Sequence, residues 1–335
     1  MLEVIIYTFA FGSICTSFLA LYHHPKWWYR IFEVLQPYLA VTALLFIVGL
    51  LLLADWNILK FFVLGLLLFN LAKHLQVVLP YTRLFKPEIE EHPEAIPDIS
   101  VLVINVLLRN QNTQALKELV EREQPDLLLL VEYTAYWHNQ TPQLLTDYPY
   151  QVVKTMENGF GIALFSKIPL INPTIEYLVD PKVPSIHAEA KITKQGRTIN
   201  FIGTHPSPPV PWERGNTKQK DLEIFKISSI VQENKHPTIV AGDFNDANWS
   251  IALLTFKNAS KLFDPRRGRG FYNTFHATNP LINYPIDHIY VSQHFLLTEF
   301  KRVKLKGSDH FGLIAGLKLK EGELVGASSD SESGE

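Results

Sequence analysis

The hydrophobic pattern of the chain changes character near Pro80. Before it, apolar positions run without interruption. Val4–Tyr22 and Tyr38–Ala54 contain no charged residue, and Ile58–Leu79 is broken only by Lys60, Lys73 and His74. Each run is close to the roughly 20 residues needed to cross a hydrocarbon core of about 30 Å. The third spans if Lys73 snorkels or faces the other helices. Trp27, Trp28, Tyr29 and Trp56 lie near the ends of these runs, where aromatic side chains mark membrane interfaces. A buried soluble helix or a cleaved signal peptide would explain one such run, not three in succession. The pattern predicts an anchor of about three transmembrane helices over 1–82.

Beyond Pro80 the runs are short and β-branched. Phe85–Ser100 is rich in Pro and Glu and reads as a linker, placed at 83–98. The stretches SVLVINVLL, DLLLLVEY, GFGIALFSK, HAEAKIT, TINFIGTHP and TIVAGDFN read as strands. Thr113–Gln124 and Thr217–Asn234 carry helical spacing. Strands alternating with helices, then dominating, predict two stacked sheets flanked by helices, a four-layer α/β sandwich over 99–320. A fragment starting near Ile99 is expected to stand as a soluble domain. Residues 321–335, ending in ASSDSESGE, read as a disordered acidic tail.

Composition narrows the picture slightly. A net charge of −2 supplies no global attraction for nucleic acid. Cys15 is the sole cysteine, which excludes an intramolecular disulfide. With three spans, the Tyr22–Pro37 loop shares a side with everything after Pro80. That side carries Lys26, Arg30, Arg83 and Lys86 against Lys60 alone, a bias that places the large domain in the cytoplasm.

Polar residues gather at the ends of the strand-like runs. Asn105 and Glu132 fall in or at the end of apolar runs, where a charge is costly unless paired or metal-bound. His205 follows another strand and precedes prolines. GDFN supplies Gly242, Asp243 and Asn245: a carboxylate to take a proton from water and an amide to hold water or phosphate. Asp287 is suited to accept a hydrogen bond from His310 and favour its charged form, with Asp309 adjacent. Each could be structural by itself, as a solvated strand end or an Asx turn; His288 and His294 are read that way. Together the oxygen and imidazole groups suit Mg²⁺-assisted hydrolysis of a phosphate ester. Arg266, Arg267 and Arg269 in DPRRGRGF, with Arg214 as a weaker candidate, are expected to recognise phosphate or an anionic head group.

The ordered set Asn105, Glu132, His205, GDFN, IDHI and SDH resembles the endonuclease/exonuclease/phosphatase superfamily, the DNase I-like fold, over roughly Ile99–Leu319. The apolar start, THPSPP and GRGF resemble its membrane-anchored bacterial YafD-like branch. The resemblance implies Glu132 as principal Mg²⁺ ligand, assisted by Asn105, with Mn²⁺ a possible substitute. It implies Asp243 activating water, Asn245 holding phosphate, His205 and His310 on phosphate oxygens, Asp287 supporting His310, and Asp309 completing the metal or water network. Attack by water is in line, without a covalent intermediate. The branch further implies an extracytoplasmic domain on a bacterial inner membrane, against the charge count. Substrates within reach are nucleic acid and phospholipid head groups; membrane lipid is the other partner, and no obligate protein partner is evident. The inositol-polyphosphate branch usually carries Cys-Asp-Arg where this chain has Ile286, Asp287 and His288, which disfavours that substrate. The alternatives are a non-catalytic membrane scaffold that keeps the fold for binding, and a soluble nuclease whose apolar start is a targeting segment.

Overall fold

A computed structural model describes residues 1–53, 55–192, 196–209, 216–279 and 281–321. Four helices come first: α1 (Leu2–Leu21), α2 (Trp27–Val34), α3 (Gln36–Leu51) and α4 (Ile58–Val78), closed by a 3-10 turn, Leu79–Tyr81. Ala10, Ile14, Ala43, Ile47, Val63, Leu64 and Leu67 pack α1, α3 and α4 together, while Phe9, Phe11, Leu44, Leu45, Phe61 and Phe62 face outward. An apolar exterior on a packed bundle suits lipid rather than water. Among the described residues two helices are long and apolar enough to cross a membrane, Glu3–Leu21 and Ile58–Tyr81, and three if α2 and α3, bent 65° at their junction, form one span. The second sequence run is thus a 16-residue helix, about 24 Å long at ~1.5 Å per residue. The helix before it, α2, is amphipathic and has no counterpart in the sequence reading.

Among the described residues eleven strands follow, interleaved with four helices: β1 (Ile99–Asn105), α5 (Thr113–Glu123), β2 (Leu127–Val131), α6 (Ala135–Leu144), β3 (Tyr150–Lys154), β4 (Ile162–Ser166), β5 (Leu170–Glu176), β6 (Ser185–Ile192), β7 (Arg197–Thr204), α7 (Lys218–Glu233), β8 (Thr238–Asp243), α8 (Ile251–Ser260), β9 (Asp287–Val291), β10 (Phe295–Lys304) and β11 (Phe311–Leu319). They form a six-stranded sheet, β10-β11-β1-β2-β4-β3, and a five-stranded sheet, β5-β6-β7-β8-β9. In each sheet one central pair is parallel, β1 with β2 and β7 with β8, and the rest are antiparallel.

Alternation along the strands sorts the layers, because successive side chains point to opposite faces. Val101, Val103, Leu127 and Leu129 meet Ile199, Phe201, Ile239 and Ala241 between the sheets. The alternate residues Leu102, Ile104 and Leu128 pack on α5 and α6, and Ile202 and Val240 on α7 and α8. This is the four-layer DNase I-like α/β sandwich.

The segment expected as a linker is docked. His92 donates its backbone N–H to Leu297 O at 2.8 Å, Leu297 returns one to Glu90 O at 2.9 Å, and Ile89 enters the core between the sheets. The free edge of β10 explains this, since an edge strand presents unpaired backbone groups. The anchor is fastened too. Trp249 Nε1 donates to Glu33 O at 3.1 Å, Tyr81 Oη donates to Asn248 O at 2.9 Å, and Thr217 N donates to Pro25 O at 2.7 Å. The end of α4 and helix α2 therefore meet the sandwich on one face. Most of the tail, residues 322–335, lies outside the described residues.

Candidate active site

The polar residues gathered at strand ends converge because the strands end at one rim. Asn105, Glu132, His205 and Asp243 stand at the C-terminal ends of β1, β2, β7 and β8. Asp287 opens β9, and His310 immediately precedes β11. Register sets Asn105 opposite Val131, so Asn105 Nδ2 donates to Glu132 Oε1 at 2.8 Å and to Asp243 Oδ2 at 3.1 Å. The other oxygen of Glu132 accepts from Leu108 N at 2.7 Å. One amide thus links the first sheet's carboxylate to the second's.

Local backbone geometry turns these side chains inward. Glu132 and Asn245 adopt φ of 59° and 51°, left-handed conformations that cost about 1–3 kcal/mol outside glycine. Both sit just past a buried strand, where neighbouring structure holds them. Gly242 cannot be replaced cheaply, because a Cβ there would lie 1.8 Å from Thr204 O. That contact keeps β8 tight against β7 and sets Asp243 beside His205. Ser308 fixes the final loop by donating to Asn105 O at 2.7 Å and accepting from His310 N at 3.0 Å.

The centre is a buried acid–imidazole cluster. Asp243 Oδ2 lies 3.7 Å from His205 Nε2 and 3.8 Å from His310 Nδ1, and Asp287 Oδ2 lies 2.9 Å from His310 Nδ1. Burial opposes charge on His310, but the carboxylates of Asp287, Asp243 and Asp309 outweigh it and lift its pKa to about 10. The site therefore holds an imidazolium at neutral pH. Burial raises the Asp243 pKa, the charge of Asp287 adds to this, and the two histidines oppose it. A raised carboxylate is a stronger proton acceptor than an ordinary one.

Several buried atoms here have no protein hydrogen-bond partner: His205 Nδ1, Asp287 Oδ1 and Asp309 Oδ1. Such atoms are rare in a finished core and ask for a ligand. Ligand atoms of Asp243, Asp287 and His310 lie within 4.8 Å of one another, close enough to hold a cation. His310 and Asp287 already bind each other, so a cation there would have to break their hydrogen bond. Glu132 and Asp309 face the same cleft and retain lone pairs. Carboxylate and amide oxygens suit a hard divalent ion, and the residues present fit one.

The arginines expected at the substrate lie elsewhere. Arg266 is fully buried beneath the site, donating to His288 Nδ1 at 2.8 Å and to Asp287 O. It buttresses Asp287 and has no route to a phosphate. Arg267 pairs with Glu88 at 2.9 Å, and Arg269 pairs with Glu91 and donates to Pro265 O at 3.0 Å. The docked segment supplies both acids, which is why this basic loop faces away from the cleft. Arg214 lies outside the described residues. His288, its pKa driven down by burial and by Arg266, stays neutral and donates from Nε2 to Asp246 O at 2.8 Å.

The cleft above the cluster measures about 760 Å³. Its walls include residues that strand-end reasoning does not reach: Asn158, Gly159, Phe275, Tyr284, and Trp27, Arg30, Ile31, Val34 and Leu35 from α2 and its junction. The signal for α2 was present in the apolar spacing Trp27, Ile31, Val34 with Arg30 and Glu33 between.

Residues 102–310 match the Endonuclease/Exonuclease/phosphatase family. No curated protein matches the chain at a significant level. Among solved structures, the human Nocturnin catalytic domain with bound sulfate aligns with TM-score 0.53 and 21% identity, over 66% of this chain and 94% of that one. D. rerio TDP2 complexed with a single-strand DNA product gives 0.56 and 13%, over 66% and 98%. A functionally unknown conserved protein from Enterococcus faecalis V583 gives 0.55 and 17%, over 66% and 100%. At these identities the likeness concerns the fold.

Proposed function

The chain belongs to the Endonuclease/Exonuclease/phosphatase family, and on that premise we propose that it is a membrane-anchored, Mg²⁺-dependent phosphodiesterase of the bacterial YafD-like branch. The observation that carries this reading is Asp243, a buried carboxylate between two imidazoles, at the floor of an open cleft. The charges beside it suit a phosphate that gains negative character in the transition state.

In this reading Asp243 accepts the proton of the attacking water, and its raised pKa favours that transfer. The His310 imidazolium, oriented by Asp287, stabilises a non-bridging phosphate oxygen, and His205 contacts a second. Asn245, whose side chain is steadied by donating to Pro206 O at 3.0 Å, holds the phosphate with its remaining N–H. Glu132, Asn105 and Asp309 would hold the cation, and Mn²⁺ would substitute. When bound, the cation neutralises phosphate charge and steadies the departing oxygen. The apolar exterior of α1, α3 and α4 supports residence in a membrane.

The test is release of p-nitrophenol from bis-p-nitrophenyl phosphate by the purified full-length chain. Turnover should require Mg²⁺ or Mn²⁺, stop with EDTA, and demand more metal in Glu132→Gln. Metal-independent turnover, or none, would refute the proposal.

A further inference from the structure

The cleft has a wall that takes no part in the chemistry. On one side α2 and its junction with α3 present Trp27, Ile31, Val34 and Leu35; opposite stand Pro208 and Ile282. The α2 side of this wall belongs to the membrane anchor, yet it lines the same cleft as Asp243 and His310. The other face of α2 is locked to the loop after β8, with Arg30 donating to Asp246 at 2.6 Å and Glu33 accepting from Ile251 N at 3.2 Å. At its end the chain bends 65° into α3 and the helical bundle, so the groove leads towards the segments apolar enough to cross a membrane. Tyr38 Oη, at the start of α3, donates to Asn283 O at 3.3 Å and ties the two rims together. Ile282 and Leu281, at the opposite tip, are 53% and 81% exposed, and Ile31 is 42% exposed. Apolar side chains at that level fit an interface and not open water.

Charge points the same way. Arg30 is the sole Arg or Lys among the described residues lining the cleft, and its guanidinium is spent on Asp246, Glu33 and Asp221. A nucleic-acid strand would require a track of available cations. An alkyl chain requires none.

We infer that the substrate is a membrane lipid phosphoester, with its phosphate at Asp243 and one hydrocarbon chain laid along α2. The inference rests on the phosphodiesterase reading and names its substrate class. In the reaction the oxygen of water bonds to phosphorus, one ester P–O bond breaks, and the released alcohol takes up a proton.

The test uses the full-length chain in lipid nanodiscs with Mn²⁺ and a series of p-nitrophenyl alkyl phosphodiesters from methyl to octyl. A single-stranded DNA oligonucleotide is run beside them. Each methylene buried in the groove contributes up to about fourfold in kcat/KM, so octyl should exceed methyl by at least about tenfold. Partition into the disc is common to all variants, so the octyl-to-methyl ratio isolates the groove. That ratio should fall at least about threefold in Ile31→Asn and, on the opposite wall, in Ile282→Asn. Ester hydrolysis whose ratio is unchanged in both variants overturns the lipid assignment and leaves the phosphodiesterase standing. Preferential cleavage of the oligonucleotide overturns it in favour of nucleic acid. No hydrolysis of any ester defeats the phosphodiesterase reading itself.

Discussion

Two buried ionic clusters lie only three residues apart in this chain, and they are built to opposite ends. Around Asp246, every charge is met: Arg30 at 2.6 Å, Lys220 at 2.7 Å, and Glu33 closing the ring through Arg30 at 3.2 Å. Around Asp243, a carboxylate and two imidazoles face a cleft, and Asp287 Oδ1, Asp309 Oδ1 and His205 Nδ1 have no hydrogen-bond partner. The first cluster is a joint between anchor and sandwich. The second is poised for something that arrives. Burial and charge are alike in both, and Arg30 Nε in the joint also lacks a partner; acceptor oxygens left without a donor beside an open cleft separate chemistry from construction.

The comparison can be broken by substitution. The largest effect is expected at the open cluster: Asp243→Asn should lower turnover by about 10²–10⁴-fold, the scale of general-base loss. A phosphodiester assay that returned near-normal turnover would remove Asp243 from the mechanism. At the closed cluster, Arg30→Met should cost stability. It leaves Glu33 buried without its cation and Asp246 with Lys220 alone, a loss of about 3–5 kcal/mol, read as a fall in thermal midpoint of the detergent-solubilised protein. The same logic predicts that a fragment starting at Ile99 is destabilised and prone to aggregate, because it loses Arg30, Tyr81 and the cover over Trp249. An equally stable fragment would make the joint ornamental.

Acid offers a finer probe. Burial resists charge on Asp246, but Arg30 and Lys220 prevail and depress its pKa from 3.8 to about 2. The folded value lies below the unfolded one, so this stabilisation is complete above about pH 4 and lost as pH falls through about 2. It amounts to about 2 kcal/mol. Unfolding followed from pH 5 to pH 2 should therefore show a smaller acid loss in Asp246→Asn than in the native chain. The smallest effect is expected at Arg267→Ala. Its pairing with Glu88 is partly exposed, worth at most about 1 kcal/mol, and catalysis should not change.

What the sequence disclosed follows from how each residue is placed. Asn105, Glu132, His205 and Asp243 were legible because a polar residue ending a buried strand is conspicuous against an apolar run, and His310 because it stands just before one. The sandwich was legible through strands alternating with helices. Arg266, Arg267 and Arg269 misled because a basic loop looks available until its acids are known. Those acids, Glu88 and Glu91, sit in a segment read as linker, and only the open edge of β10 reveals that it docks. Helix α2 was hidden between two stronger hydrophobic runs. Its eight residues are too few to stand out, and their meaning depends on Asp246, more than two hundred positions away.

The contrast between the clusters is tested most directly by thermal unfolding of Asp243→Asn beside Arg30→Met in the full-length protein. If Asp243 is held for chemistry, its replacement relieves a buried carboxylate facing Asp287, and the midpoint should stay level or rise while turnover collapses. Arg30→Met should show a clearly lowered midpoint. A large loss of stability in Asp243→Asn would contradict the account, because it would show the Asp243 cluster to be another joint.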